Sequence, residues 1–163
     1  MRIAAALAFA AALSAPLNTS AAQQSHWQLD VRLDRVTDKR EVRFRNDALQ
    51  KFVQFGRPVT ASIYLFCMED APPYPEARVY FSEPVGAEAQ FKFRFDNAEV
   101  TGPNEWPLFG NGQMINLFGG SKDISPLLQS SRLRTEWNLQ WAHDVYLEYD
   151  TRGAQAARNK LPC

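Results

Sequence analysis

Polar and apolar side chains alternate with a period of two through most of this chain, and that rhythm constrains its fold more than any other feature. Successive side chains of a β-strand point to opposite faces, so an alternating segment buries one face and wets the other as a strand. In residues 27–36, Trp27, Leu29, Val31 and Leu33 share one face, while Gln28, Asp30, Arg32 and Asp34 share the other. The segment "TDKRE" supplies a turn. The alternation then resumes with Val42 and Phe44 inward and Arg43 and Arg45 outward, which predicts a hairpin. The cleanest case is "FKFRFD", with Phe91, Phe93 and Phe95 set against Lys92, Arg94 and Asp96. Near the end of the chain, Leu133, Thr135, Trp137, Leu139 and Trp141 fall on one face. A short "AHD" turn and a pairing strand "VYLEYD" are expected to follow.

One strand departs from the half-wet pattern. In "VTASIYLFCM", Val59, Ala61, Ile63, Leu65 and Cys67 share a face, while Tyr64 and Phe66 occupy the other. A strand apolar on both sides belongs in the middle of a sheet, covered above and below. Breakers punctuate the rest. Three prolines in "EDAPPYPEA" predict a loop, "RVYFSE" reads as a strand, and "NAEVTGPNE" reads as a polar loop. "WPLFGNGQMINLFGG" reads as a hairpin bent at Gly110, Asn111 and Gly112. Two segments lose the strand rhythm. "SKDISPLLQSSR" offers Ser121 or Asp123 as a cap, Pro126 in the first turn, and Ile124, Leu127 and Leu128 for burial. "GAQAARNKL" is Ala-rich with basic residues in its last turn, before Pro162. Roughly eight strands and two short helices predict a mainly β fold, either an antiparallel sandwich or a partly closed barrel, with the second helix at the C-terminus.

The first residues set the expected compartment. Arg2 precedes an apolar run from Ile3 to Leu13, then Pro16, then the small residues Ser20, Ala21 and Ala22. This pattern predicts a secretory signal peptide over residues 1–22, cleaved after Ala22, and a single exported β-rich domain over residues 23–163. The apolar run is too short and too rich in alanine for a transmembrane anchor. Loss of Arg2 leaves 17 basic against 18 acidic side chains. That balance, with no basic block, gives nucleic acid nothing to bind. In an oxidising compartment the two cysteines, Cys67 and Cys163, are expected to pair, and such a bond would hold the C-terminal segment on a core strand.

Several spaced features coincide. Trp27 opens the first strand and Cys67 closes a central one. Asp96 ends "FRFD" and Trp106 follows ten residues later. "INLF" precedes "ISPLLQSSRLRTEW", and the chain closes with Gly153, "AQAARNKL" and Cys163. This order resembles the VasI/TagO-like accessory proteins associated with type VI secretion, small exported proteins of Gram-negative bacteria. The matching positions are Asp96, Trp106, Gly153 and Ala157, with Cys67 and Cys163 in place of that family's cysteines. The resemblance implies an exported accessory role and carries no catalytic residues with it. The "APPYPE" and "GNGQM" segments depart from it.

No stretch spells out a reaction. There is no GxSxG, and Ser121 in "GGSKD" sits where a helix begins. "FGNGQM" lacks the third glycine of a phosphate cradle. His26 stands near the start of the expected exported chain, and His143 stands in a turn beside Asp144. A His–Asp dyad there needs a nucleophile that the fold must supply. Zinc needs three or four ligands, and with the thiols paired no metal or other cofactor is expected. Glu148 and Asp150 share a strand face, either as a wet side or as a carboxylate pair for glycoside hydrolysis. Glu69, Asp70 and Glu76 flank the proline loop. Arg43, Arg45, Lys92 and Arg94 lie on polar strand faces, and they form a cationic binding patch if their strands pair. Trp106, Phe109 and Phe118 flank the glycine turns, where they either rim a surface or pack inside.

These features support three readings. The first is a non-enzymatic exported, periplasmic or secreted, accessory or binding domain. It would act through contacts with an envelope or secretion-machinery protein. The alternatives are an envelope-polymer hydrolase and a periplasmic carrier of a small apolar ligand.

Overall fold

The structure is a computed structural model that describes residues 26–33, 40–68, 73–119 and 123–163. The predicted signal peptide lies outside these residues, as do Asp34, most of the turn after it, Glu69, Asp70 and Ser121. Eleven strands and two short helices follow in order among the described residues. They are β1 (Gln28–Leu33), β2 (Arg40–Asp47), β3 (Phe52–Gln54), β4 (Arg57–Val59), β5 (Ala61–Met68), β6 (Tyr74–Phe81), β7 (Glu88–Phe95), β8 (Thr101–Pro107), β9 (Met114–Asn116), α1 (Ser125–Gln129), β10 (Arg132–Leu139), β11 (Ala142–Asp150) and α2 (Ala154–Arg158).

Two antiparallel sheets face each other, ordered β1-β2-β5-β6-β9 and β11-β10-β7-β8, with β3 and β4 forming a small ribbon. The sandwich expected from the alternation is present, and neither sheet closes into a barrel. β5 lies between β2 and β6 as predicted. Its inward Ala61, Ile63 and Leu65 are fully buried, and Phe66 is buried on the opposite face. Facing side chains fill the space between the sheets. Phe91 of β7 stacks on Trp137 of β10 with ring centroids 4.5 Å apart, and Trp137 meets Phe81 of β6 edge-on at 5.4 Å. Such aromatic pairs contribute about 0.5–1.5 kcal/mol beyond the area they bury. They therefore fix which faces oppose as well as how much is buried.

The disulfide predicted between Cys67 and Cys163 is present, with an S–S distance of 2.06 Å. It joins the end of β5 to the segment after α2. Arg158 donates to the Cys163 carbonyl at 2.7 Å, and Leu161, Ala154 and Ala157 are buried beneath α2. At the opposite end of the domain's chain, the Trp27 indole N–H donates to the Thr151 carbonyl at 3.2 Å. Trp27 and Cys163 are thereby both fixed to the same sandwich.

Several local expectations are corrected. Pro75 lies inside β6, opposite Cys67. It is tolerated because β9 pairs with β6 only over Arg78–Tyr80, leaving the Pro75 end of that side without a ladder. The expected polar loop after Phe95 becomes strand from Thr101 onward. The Gly110–Gly112 turn closes only an isolated antiparallel bridge between Phe109 and Met114, because β8 pairs with β7 while β9 pairs with β6. The turn carries the chain from one sheet to the other. Gly112, at φ 77°, packs so tightly that a Cβ there would lie 2.1 Å from the Gly86 carbonyl oxygen. "AHD" is strand, and the turn falls at Gln140 and Trp141, which swings Trp141 into solvent. β1 departs most from expectation. Trp27 is buried, but Leu29, Val31 and Leu33 are exposed.

Candidate functional site

β7 positions the candidate site. Its inward residues begin as core, with Ala89 and Phe91 buried, and end half-exposed at Phe93 and Phe95. The strand outruns the opposing sheet there, so the aromatic ladder that starts in the core emerges at one end of the sandwich. Phe118, in the turn after β9, meets it from the other sheet. Phe95 and Phe118 stack 6.2 Å apart at an interplanar angle of 8°. Phe93 contacts Phe118 edge-on at 6.4 Å and Phe95 at 5.7 Å. Together the three rings floor an open groove of about 770 Å³, walled by Pro126, Gln129 and Ser130 of the α1 region.

The rim is acidic, carrying Asp96, Glu99 and Asp123. Asp96, at φ 45°, ends β7. Its carboxylate accepts from the Ser131 hydroxyl at 2.7 Å and from the Ser131 N–H at 3.1 Å. The Ser131 hydroxyl is the main cause that holds the Asp96 carboxyl below its ordinary range, assisted by backbone N–H groups and Arg132. Asp123 accepts from the Ser125 N–H at 2.9 Å, and the Ser125 bonds likewise lower its pKa. Both therefore stay ionised well into acid. A half-apolar floor under a fixed anionic rim suits a segment that presents an apolar or aromatic side chain together with a basic one.

Other residues singled out from the sequence fall elsewhere. β2 pairs with β1 and β5, whereas β7 pairs with β10 and β8. Arg43 and Arg45 thus lie on one sheet and Lys92 and Arg94 on the other, and the four do not gather into one patch. Three of them have acidic partners: Arg43 with Asp30 at 2.5 Å, Arg45 with Asp47 at 2.6 Å, and Lys92 with Glu136 at 3.3 Å. Arg43 also lies over the Tyr64 ring at 4.7 Å.

Glu148 is bracketed by Arg132 and Arg134, each at 3.2 Å. Asp150 is held by Arg152 and approached by His26 at 3.2 Å. The Arg152 hydrogen bond is the main cause that lowers the Asp150 pKa. That drives it away from the raised value a general acid needs. Glu76 is buried against Arg78 at 2.5 Å and Asn116 at 2.9 Å. His143 meets Asn138 at 2.5 Å, at the opposite end of β7 from the groove. Among the described residues, no group of three or more His, Cys, Asp or Glu is placed to hold a metal.

The positions that carried the resemblance have structural work. Trp106 packs edge-on against Phe91 at 5.0 Å and lies over Gly119, where a Cβ would come within 2.5 Å of the ring. Asp96 ties β7 to the start of β10. Gly153, at φ 87°, precedes α2, and Ala157 is buried beneath it. Phe109 is exposed, whereas Phe118 lines the groove. The groove was only half visible in advance, because its third ring arrives from a distant turn. The sequence signal was an aromatic face that persists to the last residue of β7 and runs straight into "DNAE".

No helix among the described residues is long and apolar enough to cross a membrane. Compared with protein-family models, curated proteins and solved structures, the chain matches none.

Proposed function

We propose that this protein is a non-catalytic binding domain of the cell envelope, exported behind a removable leader and acting as an accessory to a secretion machine. The observation that carries the binding role is the Phe93, Phe95 and Phe118 floor, held half-exposed beneath ionised Asp96 and Asp123. The occupant is a protein segment with one apolar or aromatic anchor and a neighbouring Lys or Arg. Three further features support the reading. The disulfide fits an oxidising compartment. The arginine-held states of Glu148 and Asp150 suit structural ion pairs better than proton transfer. The resemblance to type VI secretion accessory proteins supplies the machine. The carrier reading is less favoured, since Phe91, Trp137 and Phe81 occupy the space between the sheets.

Gene deletion tests the secretion role. Loss of the protein should reduce export through the envelope machine. Wild-type protein should restore it, and the Phe118→Ala variant should not. Unchanged export after deletion would refute the secretion assignment.

A further inference from the structure

β1 forms one edge of its sheet, and its apolar face continues the inward face of that sheet past the point where the second sheet covers it. Exposure along one cross-strand row shows the transition: Leu65 is 0% exposed, Phe44 5% and Leu29 62%. Val31 and Leu33 continue the open stripe at 50% and 52%. An exposed edge strand is a template for pairing, and proteins commonly blunt such edges with proline, a bulge or charged side chains. β1 has neither proline nor bulge, and its two charges are of opposite sign. Its register with β2 is unbroken from Gln28 to Leu33, and it contains no proline. Its outer-face charges are one acid, Asp30, and one base, Arg32.

We infer that β1 pairs antiparallel with β1 of a second copy of this chain about a twofold axis through Val31. The charges select this register. With Val31 opposite Val31 of the second copy, Asp30 lies opposite Arg32 and Arg32 opposite Asp30, both on the outer face. On the apolar face, Leu29 meets Leu33 and Leu33 meets Leu29. A twofold edge contact must be self-complementary, each residue finding its counterpart twice, and "LDVRL" meets that requirement about its central residue. Opposite charges and aliphatic pairs directly across an antiparallel ladder are both stabilising. Asp30 is already held by Arg43 at 2.5 Å, so it is presented in a fixed position. Arg32 stands opposite Glu41 in the register, yet forms no ion pair among the described residues, since Glu41 leans toward Arg43 at 3.9 Å. The pairing joins two sheets into one continuous sheet and gives each exposed aliphatic residue a lateral neighbour. It does not depend on the groove.

Sedimentation equilibrium of the purified protein tests it. The mass should rise from one chain toward two as concentration increases to about 1 mM. Val31→Lys sets two like charges face to face and should weaken association at least about tenfold, with thermal unfolding near that of the wild type. Asp30→Lys and Arg32→Glu should each be monomeric alone. Their equimolar mixture should dimerise, because each lysine or arginine of one chain then faces an acid of the other. A wild-type protein that stays monomeric at about 1 mM overturns the inference. So does a dimer that survives Val31→Lys, or a charge-swapped mixture that remains monomeric while the wild type pairs.

Discussion

The carboxylate of Asp96 accepts both the hydroxyl and the backbone N–H of Ser131, at 2.7 and 3.1 Å, binding the end of β7 to the start of β10. That clasp fixes the floor and the rim of the groove together, because Phe95 is the adjacent residue. Asp96→Ala should cost about 1 kcal/mol of stability, the usual worth of such a side-chain-to-backbone cap, measured by urea unfolding. Asp96→Asn should retain part of it.

The same bond sets a pH dependence. Asp96 and Asp150 titrate below their ordinary value of 3.8 in the folded protein. The unfolded chain therefore takes up these protons first as pH falls. Their stabilisation is fully present above the unfolded pKa and is lost as pH drops from about 4 through the lower folded values. Asp96 faces water, so its share is about 1 kcal/mol or less. Unfolding midpoints measured at intervals below pH 5 should fall less steeply in Asp96→Asn than in wild type.

Gly112 and Gly56 both have φ between 75° and 77°, but their surroundings differ. A Cβ on Gly112 collides with the Gly86 carbonyl oxygen, whereas one on Gly56 has open space. Gly56→Ala should therefore cost only the backbone penalty, about 1 kcal/mol. Gly112→Ala should cost about 1–3 kcal/mol more and shift the crossover between the sheets. Paired thermal melts distinguish the two.

The contrast between β7 and β1 shows what was legible in the sequence. Both alternate strictly, and in both the apolar face was readable from Phe91, Phe93 and Phe95 or from Leu29, Val31 and Leu33. Alternation identifies which face seeks cover, but it does not say where in the sheet the strand lies. β7 lies between β10 and β8, with its inward face buried for half its length, while β1 ends up at an open edge. The same gap separated Arg43 and Arg45 from Lys92 and Arg94, since sheet membership depends on long-range pairing. It also disguised the Gly110–Gly112 turn, whose local chemistry is identical whether it joins strands of one sheet or of two. Cys67 and Cys163 were legible because only one intramolecular pairing exists for two cysteines.

Breaking the disulfide tests the scaffold. Its partners are 96 residues apart, so in the chain-entropy model its loss destabilises by about 4–5 kcal/mol. Cys163→Ser should lower the melting temperature accordingly. Hydrogen exchange should quicken first at the buried Ala157 amide, because α2 is held by that bond and by Leu161.

Export behind a leader predicts a defined product. Intact-mass measurement of protein recovered from the periplasm should give a chain beginning at Gln23. A chain that still carries residues 1–22 would contradict removal of the leader.

The most direct test of the account is photo-crosslinking in living cells from a reactive side chain placed at Gln129, on the groove wall, with Asn138 at the far end of the sandwich as control. An adduct of defined mass is expected from position 129, absent from position 138 and lost when Phe118→Ala removes the stacked floor. Adducts that form equally from both positions, or that survive Phe118→Ala unchanged, would contradict it.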